Sequence, residues 1–397
     1  MPTNLIHATV VTEDDCIEDS AVVIDEQGAI AAVDPDCLPQ GRMYDCRGGL
    51  LMPGIIDLHS DHVETVIEAR PGVFFPVEVA LPQIDTINAA AGITTAFHAV
   101  SFTARGNLLR RIDNAKRLTH LLHDLDRHGS IEHRVHCRYE VTQPDALPAI
   151  EAAVEQGHAD LVSIMDHSPG QGQFKSMEAF VAYYSAHHRM TPEEAEAFGL
   201  EAQRLAREAT DGVRDLLDVC HARGVTTASH DDDSAERVNL FRDLGVRICE
   251  FPINLEAAHC ATRFGMPTVL GAPNILRGGS QSGSMRALDG ILAEVCDCLC
   301  SDYAPWTILQ AVLALPELTT CSLPEAVALA TSHPAAAVAL DDRGRVAPGL
   351  RADLVLVDRS GEQPAVRSVW CAGEQVYQQR VKRQGAPRRA PAVGAGA

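Results

Sequence analysis

The sequence has few aromatic residues, few basic residues and no long apolar run. Aromatic residues make up 5% of its 397 residues, and 33 lysines and arginines face 54 acidic residues, for a formal net charge of −21. A surface this acidic repels polyanions, which argues against nucleic acid or an anionic membrane as a partner. No stretch approaches the roughly 20 uncharged apolar residues that a spanning helix needs. Because an export signal is also absent, we expect a cytoplasmic protein.

The cysteines do not suggest a disulfide framework. The chain has 12 of them, scattered through apolar contexts in a long sequence where thiols normally stay reduced. Cys296, Cys298 and Cys300 alternate as on one face of a strand, which favours packing over metal binding. With 46% hydrophobic residues, the chain can bury a substantial core.

The chain divides by pattern into two short β-rich ends around a long middle. Short strand patterns with Gly and Asp at the breaks occur at both ends, so we expect the two ends to pair into one small β-sandwich domain. The predicted segments are 1–52 and 341–380 for the small domain, 53–340 for the middle, and 381–397 for a disordered tail, which has too little apolar bulk to fold.

The middle segment alternates apolar strand patterns with amphipathic helical patterns, which is typical of a parallel sheet with crossover helices. The candidate strands are 54–61, 92–100, 133–141, 160–167, 226–232, 246–253, 267–274 and 299–305. Eight such units predict an α/β fold, a (β/α)8 TIM-like barrel, whose chemistry lies at the C-terminal ends of its strands.

Side chains that bind metals recur at those strand ends. They are His59, Asp61 and His62 in "DLHSDH", Glu140, Asp166 with His167, His230 with Asp231, and Asp302. Strand residues alternate between faces, so His59 and Asp61 point to the same side. One histidine among 17 carries little weight, but buried acids at consecutive strand ends need partners, and bound cations would supply them.

Imidazoles combined with carboxylates suit divalent transition metals. The pattern predicts two ions, with zinc first and manganese, iron or nickel as alternatives. His98, which also lies near a strand end, is open to a packing role as well as a role near the metals.

The whole arrangement resembles the amidohydrolase superfamily, including the segment 330–358 by which such chains leave the barrel. More narrowly, "DLHSDHVE", "LVSIMDHSPGQGQF", "SHDDDSAERV" and "CSDYAPWTILQA" are similar to the alpha-D-ribose 1-methylphosphonate 5-triphosphate diphosphatases of the carbon-phosphorus lyase pathway. That resemblance implies a metal-dependent hydrolase that converts a phosphorylated sugar, a ribose 5-triphosphate, to the 5-phosphate with release of pyrophosphate.

The resemblance also implies roles for individual residues. His59 and Asp61 would be ligands from the first strand, Glu140 a bridging carboxylate, His167 and His230 ligands of the second ion, and Asp302 the last ligand and catalytic base. Asp61 stands where the superfamily usually has a second histidine, and His62 follows it, so either could complete the pair. Asp231 remains a further candidate.

Two glycine-bearing loops and one arginine are candidate phosphate contacts. The loop "NILRGGSQSGS" offers Arg277, Gly278, Gly279 and Ser280, whose backbone N–H groups and guanidinium suit anionic oxygens. Lys175 in "SPGQGQFKS" and Arg70 in "ARPGVFF" could add positive charge. An ordinary strand-to-helix loop and a surface arginine explain the same residues.

The sequence is also compatible with two other functions. The same metal barrel could hydrolyse a cyclic amide or deaminate a base, in which case its pocket would not need these cations. It could also be an inactive metal-binding scaffold, since a fold does not determine a function. A homo-oligomer is compatible with each of these three functions.

Overall fold

The structure, a computed structural model, describes residues 1–104, 108–187, 190–280, 283–361 and 363–380. Its N-terminal region consists of short strands, in keeping with the turn residues between apolar segments. These strands are β1 (Thr3–Val11), β2 (Cys16–Ile24), β3 (Ile30–Val33), β4 (Arg42–Asp45) and β5 (Leu50–Pro53). Strand β1 pairs antiparallel with β2 and parallel with β4 and β5.

The middle of the chain forms the predicted barrel. Strand β6 (Ile55–Ser60) precedes a small hairpin of β7 (Glu68–Arg70) and β8 (Val73–Phe74). The other barrel strands are β9 (Ile93–Ser101), β10 (Glu132–Glu140), β11 (Leu161–Met165), β12 (Thr226–His230), β13 (Ile248–Glu250), β14 (Thr268–Gly271) and β15 (Cys298–Cys300). Sequential neighbours pair in parallel. The eight-stranded parallel barrel is therefore confirmed.

Helices lie between the strands. They are α1 (His62–Ile67), α2 (Val77–Ala91), α3 (Ile112–Leu125), α4 (Leu147–Glu155), α5 (Met177–His187), α6 (Pro192–Glu208), α7 (Thr210–Ala222), α8 (Ala235–Asp243), α9 (Leu255–Arg263), α10 (Ala272–Arg277), α11 (Ala287–Leu292), α12 (Thr307–Leu318), α13 (Leu323–Ala328) and α14 (Ser332–Ala337). A capping box of Thr191 and Glu194 begins α6, which satisfies its first N–H groups. Within the described residues, no helix is both long enough and apolar enough to cross a membrane.

The barrel closes at the ends of its first and last strands. The Asp302 N–H donates to His59 O at 3.0 Å, and the Asp61 N–H donates to Asp302 O at 2.7 Å. Below this closure the interior is apolar and includes Leu58 and Phe97, which are 1% and 0% exposed. Barrel closure thus brings together residues that are more than 240 positions apart in the sequence.

Both ends of the chain form one separate sheet, as predicted. After α14 come β16 (Leu354–Asp358), β17 (Ala365–Cys371) and β18 (Glu374–Gln378). The antiparallel pairing of β5 with β16 joins the two ends in an eight-stranded sheet. The domain boundaries at 52, 340 and 380 remain predictions, and the tail predicted for 381–397 lies outside the described residues.

A half-buried carboxylate links the barrel to the segment that re-enters this sheet. Glu132, at the start of β10, accepts hydrogen bonds from Arg134, Arg343 and Arg351. Burial opposes its ionisation, but the charges of Arg343 and Arg134 outweigh burial and lower the pKa of Glu132 from 4.5 to about 2. A carboxyl whose folded-state pKa is depressed stabilises the fold above its unfolded pKa, and this contribution is lost as the pH falls.

We therefore expect Glu132→Gln to lower the free energy of unfolding by about 3 kcal/mol at neutral pH, because it leaves the buried Arg343 and the half-buried Arg351 without their shared carboxylate. The difference from the parent should shrink as the pH falls from 4.5 towards 2. Urea denaturation over that range measures it, with exposed Glu317→Gln as the control. A loss that is no larger than the control's, or that does not depend on pH, would contradict this role.

Candidate metal centre and active site

Imidazoles and carboxylates from distant segments converge at the C-terminal end of the barrel. Three overlapping groups each place ligand atoms within 4.8 Å of one another: His59, Asp61 and Asp302; His167, His230 and Asp231; and His59, His230 and Glu250. Imidazole nitrogens combined with carboxylate oxygens form the donor set that divalent transition metals prefer. The residues present therefore fit a divalent metal centre.

Glu250 organises the centre of the site and is the main residue that the sequence reading missed. It ends the short strand β13 and is 1% exposed. Its two oxygens accept hydrogen bonds from Nδ1 of His59 at 2.8 Å and from Nδ1 of His230 at 2.7 Å. Each imidazole therefore keeps Nε2 available as a ligand atom, which is the arrangement by which carboxylates orient metal-binding histidines.

Glu140 orients a third imidazole. His167 Nδ1 donates to Glu140 Oε2 at 2.6 Å, and His167 Nε2 lies 3.5 Å from Asp231 Oδ2. Glu140 also lies against the backbone N–H of His167 and the side chain of Thr142. In this structure it supports His167, and its assignment as a bridging carboxylate remains a prediction.

Unusual backbone angles occur at two of the acidic residues. Asp231 and Asp302 follow β12 and β15 with φ angles of 56° and 54°, in the left-handed region that aspartate tolerates better than most side chains. The chain thus turns sharply at the two strand ends. Asp231 comes beside His167, and Asp302 comes beside His59 and Asp61.

The electrostatics of the site favour bound positive charge. Burial disfavours a charged imidazole, yet Glu250 and Asp61 outweigh it and raise the pKa of His59 to about 10. Glu140 and Asp231 likewise raise the pKa of His167, to about 9. The carboxylates therefore hold the imidazoles in a field that attracts cations, whether protons or metal ions.

Two arginines that the sequence reading did not select lie in the same cleft. Arg138, on β10 and 8% exposed, contacts both carboxylate oxygens of Asp61 at 3.1 and 3.2 Å, and its Nη2 lies 3.3 Å from His230 Nε2. Arg110 forms a two-pronged ion pair with Glu64. These carboxylates hold each guanidinium in place at the edge of the metal-binding groups.

The surrounding cleft has a volume of about 1070 Å³. Its lining includes Arg277, Gly279 and Ser280 from the predicted phosphate loop. Gly278 ends α10 in the left-handed conformation, with φ of 74°, and lies outside the cleft lining. Arg277 Nη1 donates to Tyr303 Oη at 3.0 Å. Part of the predicted loop thus lines the same cleft as the metal-binding groups, whereas residues 281 and 282 lie outside the described residues.

Lys175 and Arg70 are not brought to the cleft. Lys175 is exposed, and its neighbours Gln173 and Phe174 line the cleft in its place. Arg70 is exposed on the β7–β8 hairpin. This geometry does not support their predicted contact with phosphate, because the loop directs Gln173 and Phe174 towards the cleft and hairpin residues 68–74 lie outside its lining.

The two uncertain histidines lie behind the site. His62 begins α1, and its Nδ1 is 3.1 Å from Thr65 Oγ1, so Asp61 is the residue that lies beside His59. His98 Nε2 pairs with His133 Nδ1 at 2.8 Å, and His133 Nε2 donates to Asp85 Oδ1 in α2 at 3.0 Å. His98 therefore faces the helices that surround the barrel.

Comparisons with known proteins agree on one family. A profile of the amidohydrolase family matches residues 83–377. The chain is 35% identical to the alpha-D-ribose 1-methylphosphonate 5-triphosphate diphosphatase of Escherichia coli (strain K12) over 373 residues, which is 93% of this chain and 98% of that protein.

Solved structures support the fold alone, because their identities are low. A Xaa-Pro dipeptidase with bound methionine aligns over 96% of this chain and 100% of its own, with a TM-score of 0.65 and 15% identity. N-acetylglucosamine-6-phosphate deacetylase from Pasteurella multocida aligns over 94% and 99%, with a TM-score of 0.62 and 12% identity.

Because Glu250 orients both His59 and His230, its substitution should change the affinity for metal. Glu250→Gln keeps the shape of the side chain but removes the charge that orients His59 and His230. We expect it to weaken metal affinity about 10- to 100-fold, as measured by competition with a chromogenic chelator. The control is Glu256→Gln, on the exposed first turn of α9. Unchanged affinity in the Glu250 variant would show that Glu250 does not position the metal ligands.

Proposed function

Because this chain belongs to the amidohydrolase family, we propose that it is a metal-dependent hydrolase acting on alpha-D-ribose 1-methylphosphonate 5-triphosphate. The proposed products are the 5-phosphate and pyrophosphate, formed during phosphonate breakdown. The observation that carries this proposal is the 35% identity to the Escherichia coli diphosphatase over nearly the full length of both chains. The arrangement of charge in the cleft supports it independently.

The charge in the cleft suits a highly anionic substrate. Arg110, Arg138 and Arg277 line the same cleft as the metal-binding groups. Guanidinium groups match phosphate oxygens in geometry and in charge. A neutral cyclic amide would not need three cations beside the metals, so this pocket favours the triphosphate over the amide or base substrates of other amidohydrolases.

We assign the metal ligands by group. His59, Asp61 and Asp302 would hold one divalent ion, and His167, His230 and Asp231 a second, with zinc as our first candidate. Such ions, when bound, neutralise charge on phosphate oxygens and make a nearby water more acidic. Glu250 and Glu140 keep the three imidazoles in orientation through their Nδ1 hydrogen bonds.

Asp302 is our candidate for the residue that accepts the proton of the attacking water. Burial and the nearby charge of Asp61 raise its pKa above the usual aspartate value, which makes its carboxylate a better proton acceptor. Arg277, which lies in the cleft lining together with Ser280, would bind the phosphate oxygens through its guanidinium group. Cleavage of the bridge between the α and β phosphates then releases pyrophosphate, and the sugar keeps a single phosphate.

The reaction itself is testable by its products. With metal-reconstituted protein we expect equal amounts of ribose 1-methylphosphonate 5-phosphate and pyrophosphate, measured by phosphorus NMR. Removal of metal by a chelator should abolish the reaction, and adding back zinc or manganese should restore it. Release of orthophosphate, or turnover of cyclic amides without turnover of the triphosphate, would contradict the proposal.

The role of Asp302 predicts the effect of one substitution. Asp302→Asn should lower kcat for pyrophosphate release by at least about 100-fold, because general base catalysis contributes about 10²- to 10⁴-fold. The control is Asp341→Asn, at an exposed position outside the cleft, which should retain the parent rate. If the Asp302 variant keeps the parent kcat, another group accepts the proton.

A further inference from the structure

An aromatic cluster lines one side of the cleft. The chain has only 10 phenylalanines, 6 tyrosines and 2 tryptophans. Five of these aromatic residues lie in the connection between β11 and β12, and all five line the cleft. We call this cluster the aromatic wall; its residues are Phe174, Phe180, Tyr183, Tyr184 and Phe198. A sequence with so few aromatic residues thus concentrates them beside its candidate active site.

The aromatic wall has a buried base and an exposed edge. Phe180 and Phe174 are 1% and 6% exposed, and Phe180 stacks on Tyr184 with ring centroids 4.3 Å apart. Phe198 packs edge-on against Tyr184 at 5.1 Å but remains 38% exposed. Tyr183 is 44% exposed. The buried rings therefore support exposed rings that present apolar surface to the cleft.

The aromatic wall lies close to the groups that suit phosphate. Burial and the charge of Glu140, the partner of His167, raise the pKa of Tyr184 to about 12, while Arg110 acts against them. The inner end of the wall thus lies within electrostatic range of Arg110 and of the Glu140–His167 pair.

The sugar triphosphate of the proposed function does not account for this surface. That substrate carries phosphate at one end and phosphonate at the other, and it has no planar apolar group. At about 1070 Å³, the cleft reaches the upper end of the range of about 300–1,000 Å³ that is usual for small-molecule sites. A ligand that uses both sides of the cleft would combine a triphosphate with a flat ring system.

We propose that the aromatic wall is a base-binding subsite, so that the cleft also accepts nucleoside 5′-triphosphates. This inference rests on the proposed function for the phosphate side of the cleft. Water would attack the triphosphate and the bridge between the α and β phosphates would break. The products are a nucleoside 5′-monophosphate and pyrophosphate, and the proton of the water passes through Asp302 to the solvent. Stacking on aromatic rings tolerates any base, because every base has a π-face.

The first measurement compares two substrates in metal-reconstituted protein. We expect pyrophosphate release from both ribose 5-triphosphate and ATP. Phe198→Ala should raise KM for ATP about tenfold more than KM for ribose 5-triphosphate, and Phe198→Tyr should restore the parent ratio. The matched control is Leu200→Ala, which removes an exposed side chain from the same helix outside the cleft lining and should leave the ratio unchanged.

The second measurement uses isothermal titration calorimetry to follow the binding of α,β-methylene-ATP. This analogue cannot be cleaved between its α and β phosphates. Binding that weakens about tenfold in Phe198→Ala but not in Leu200→Ala supports the base subsite, even if no triphosphate is hydrolysed. Absence of binding to the parent protein overturns the inference, and so does equal weakening in both variants. If either of these two outcomes is found but ribose 5-triphosphate is still cleaved, the diphosphatase function is supported and only the base-binding subsite is contradicted. Failure to cleave any ribose triphosphate contradicts the proposed function instead.

Discussion

The C-terminal end of this barrel, where the candidate active site lies, depends on carboxylates buried against imidazoles. Glu250 is almost completely removed from water, and a buried carboxylate is costly unless hydrogen bonds and positive charge surround it. His59 and His230 supply the hydrogen bonds through Nδ1. These two hydrogen bonds compensate for the burial of Glu250, and they also fix the direction of the Nε2 atoms of His59 and His230. The same interaction therefore stabilises the centre of the barrel and sets the geometry of the candidate metal ligands.

Closure of the barrel ties this centre to the fold. The backbone hydrogen bonds between Asp302 and the segment from His59 to Asp61 join the last strand to the first. The same residues supply side chains to one of the candidate metal groups. A bound ion would therefore stabilise the closed barrel, and a change that disturbs closure would also disturb the ligands. The left-handed backbone at Asp231 and Asp302 is consistent with strain that functional sites retain.

The sequence was sufficient to predict the barrel and several of the residues that converge at the candidate site. Strand patterns identified all eight barrel strands, and acidic residues or histidines at strand ends identified the groups around His59, His167 and His230. Glu250 was missed because the predicted strand ran from 246 to 253 and placed it in the interior of an apolar segment, whereas the strand in the structure ends at Glu250. An acid that ends a strand could have been the signal. Arg138 was missed because a single arginine within a polar strand pattern gives no sign of its partner Asp61.

Two of the predicted phosphate contacts, Arg70 and Lys175, lie outside the cleft lining for a different physical reason. Arg70 and Lys175 were selected from glycine-bearing segments, but the direction of a loop or hairpin depends on tertiary packing that local pattern does not encode. Arg110 replaces them in the cleft because Glu64, 46 residues away, holds its guanidinium. Contacts at such separations depend on the closed fold. The aromatic wall is a similar case: its rings are close in sequence, but only the closed fold places them in the same cleft as the charged groups.

The central claim is that the imidazoles and carboxylates at the barrel mouth hold divalent ions. Anomalous X-ray diffraction from crystals of the metal-reconstituted protein tests it most directly. For zinc, the account predicts anomalous peaks about 2.0–2.1 Å from the Nε2 atoms of His59 and His230, one beside Asp61 and Asp302 and another beside His167 and Asp231. Fully metal-loaded crystals with no peak among these residues, or with peaks only elsewhere, would contradict it.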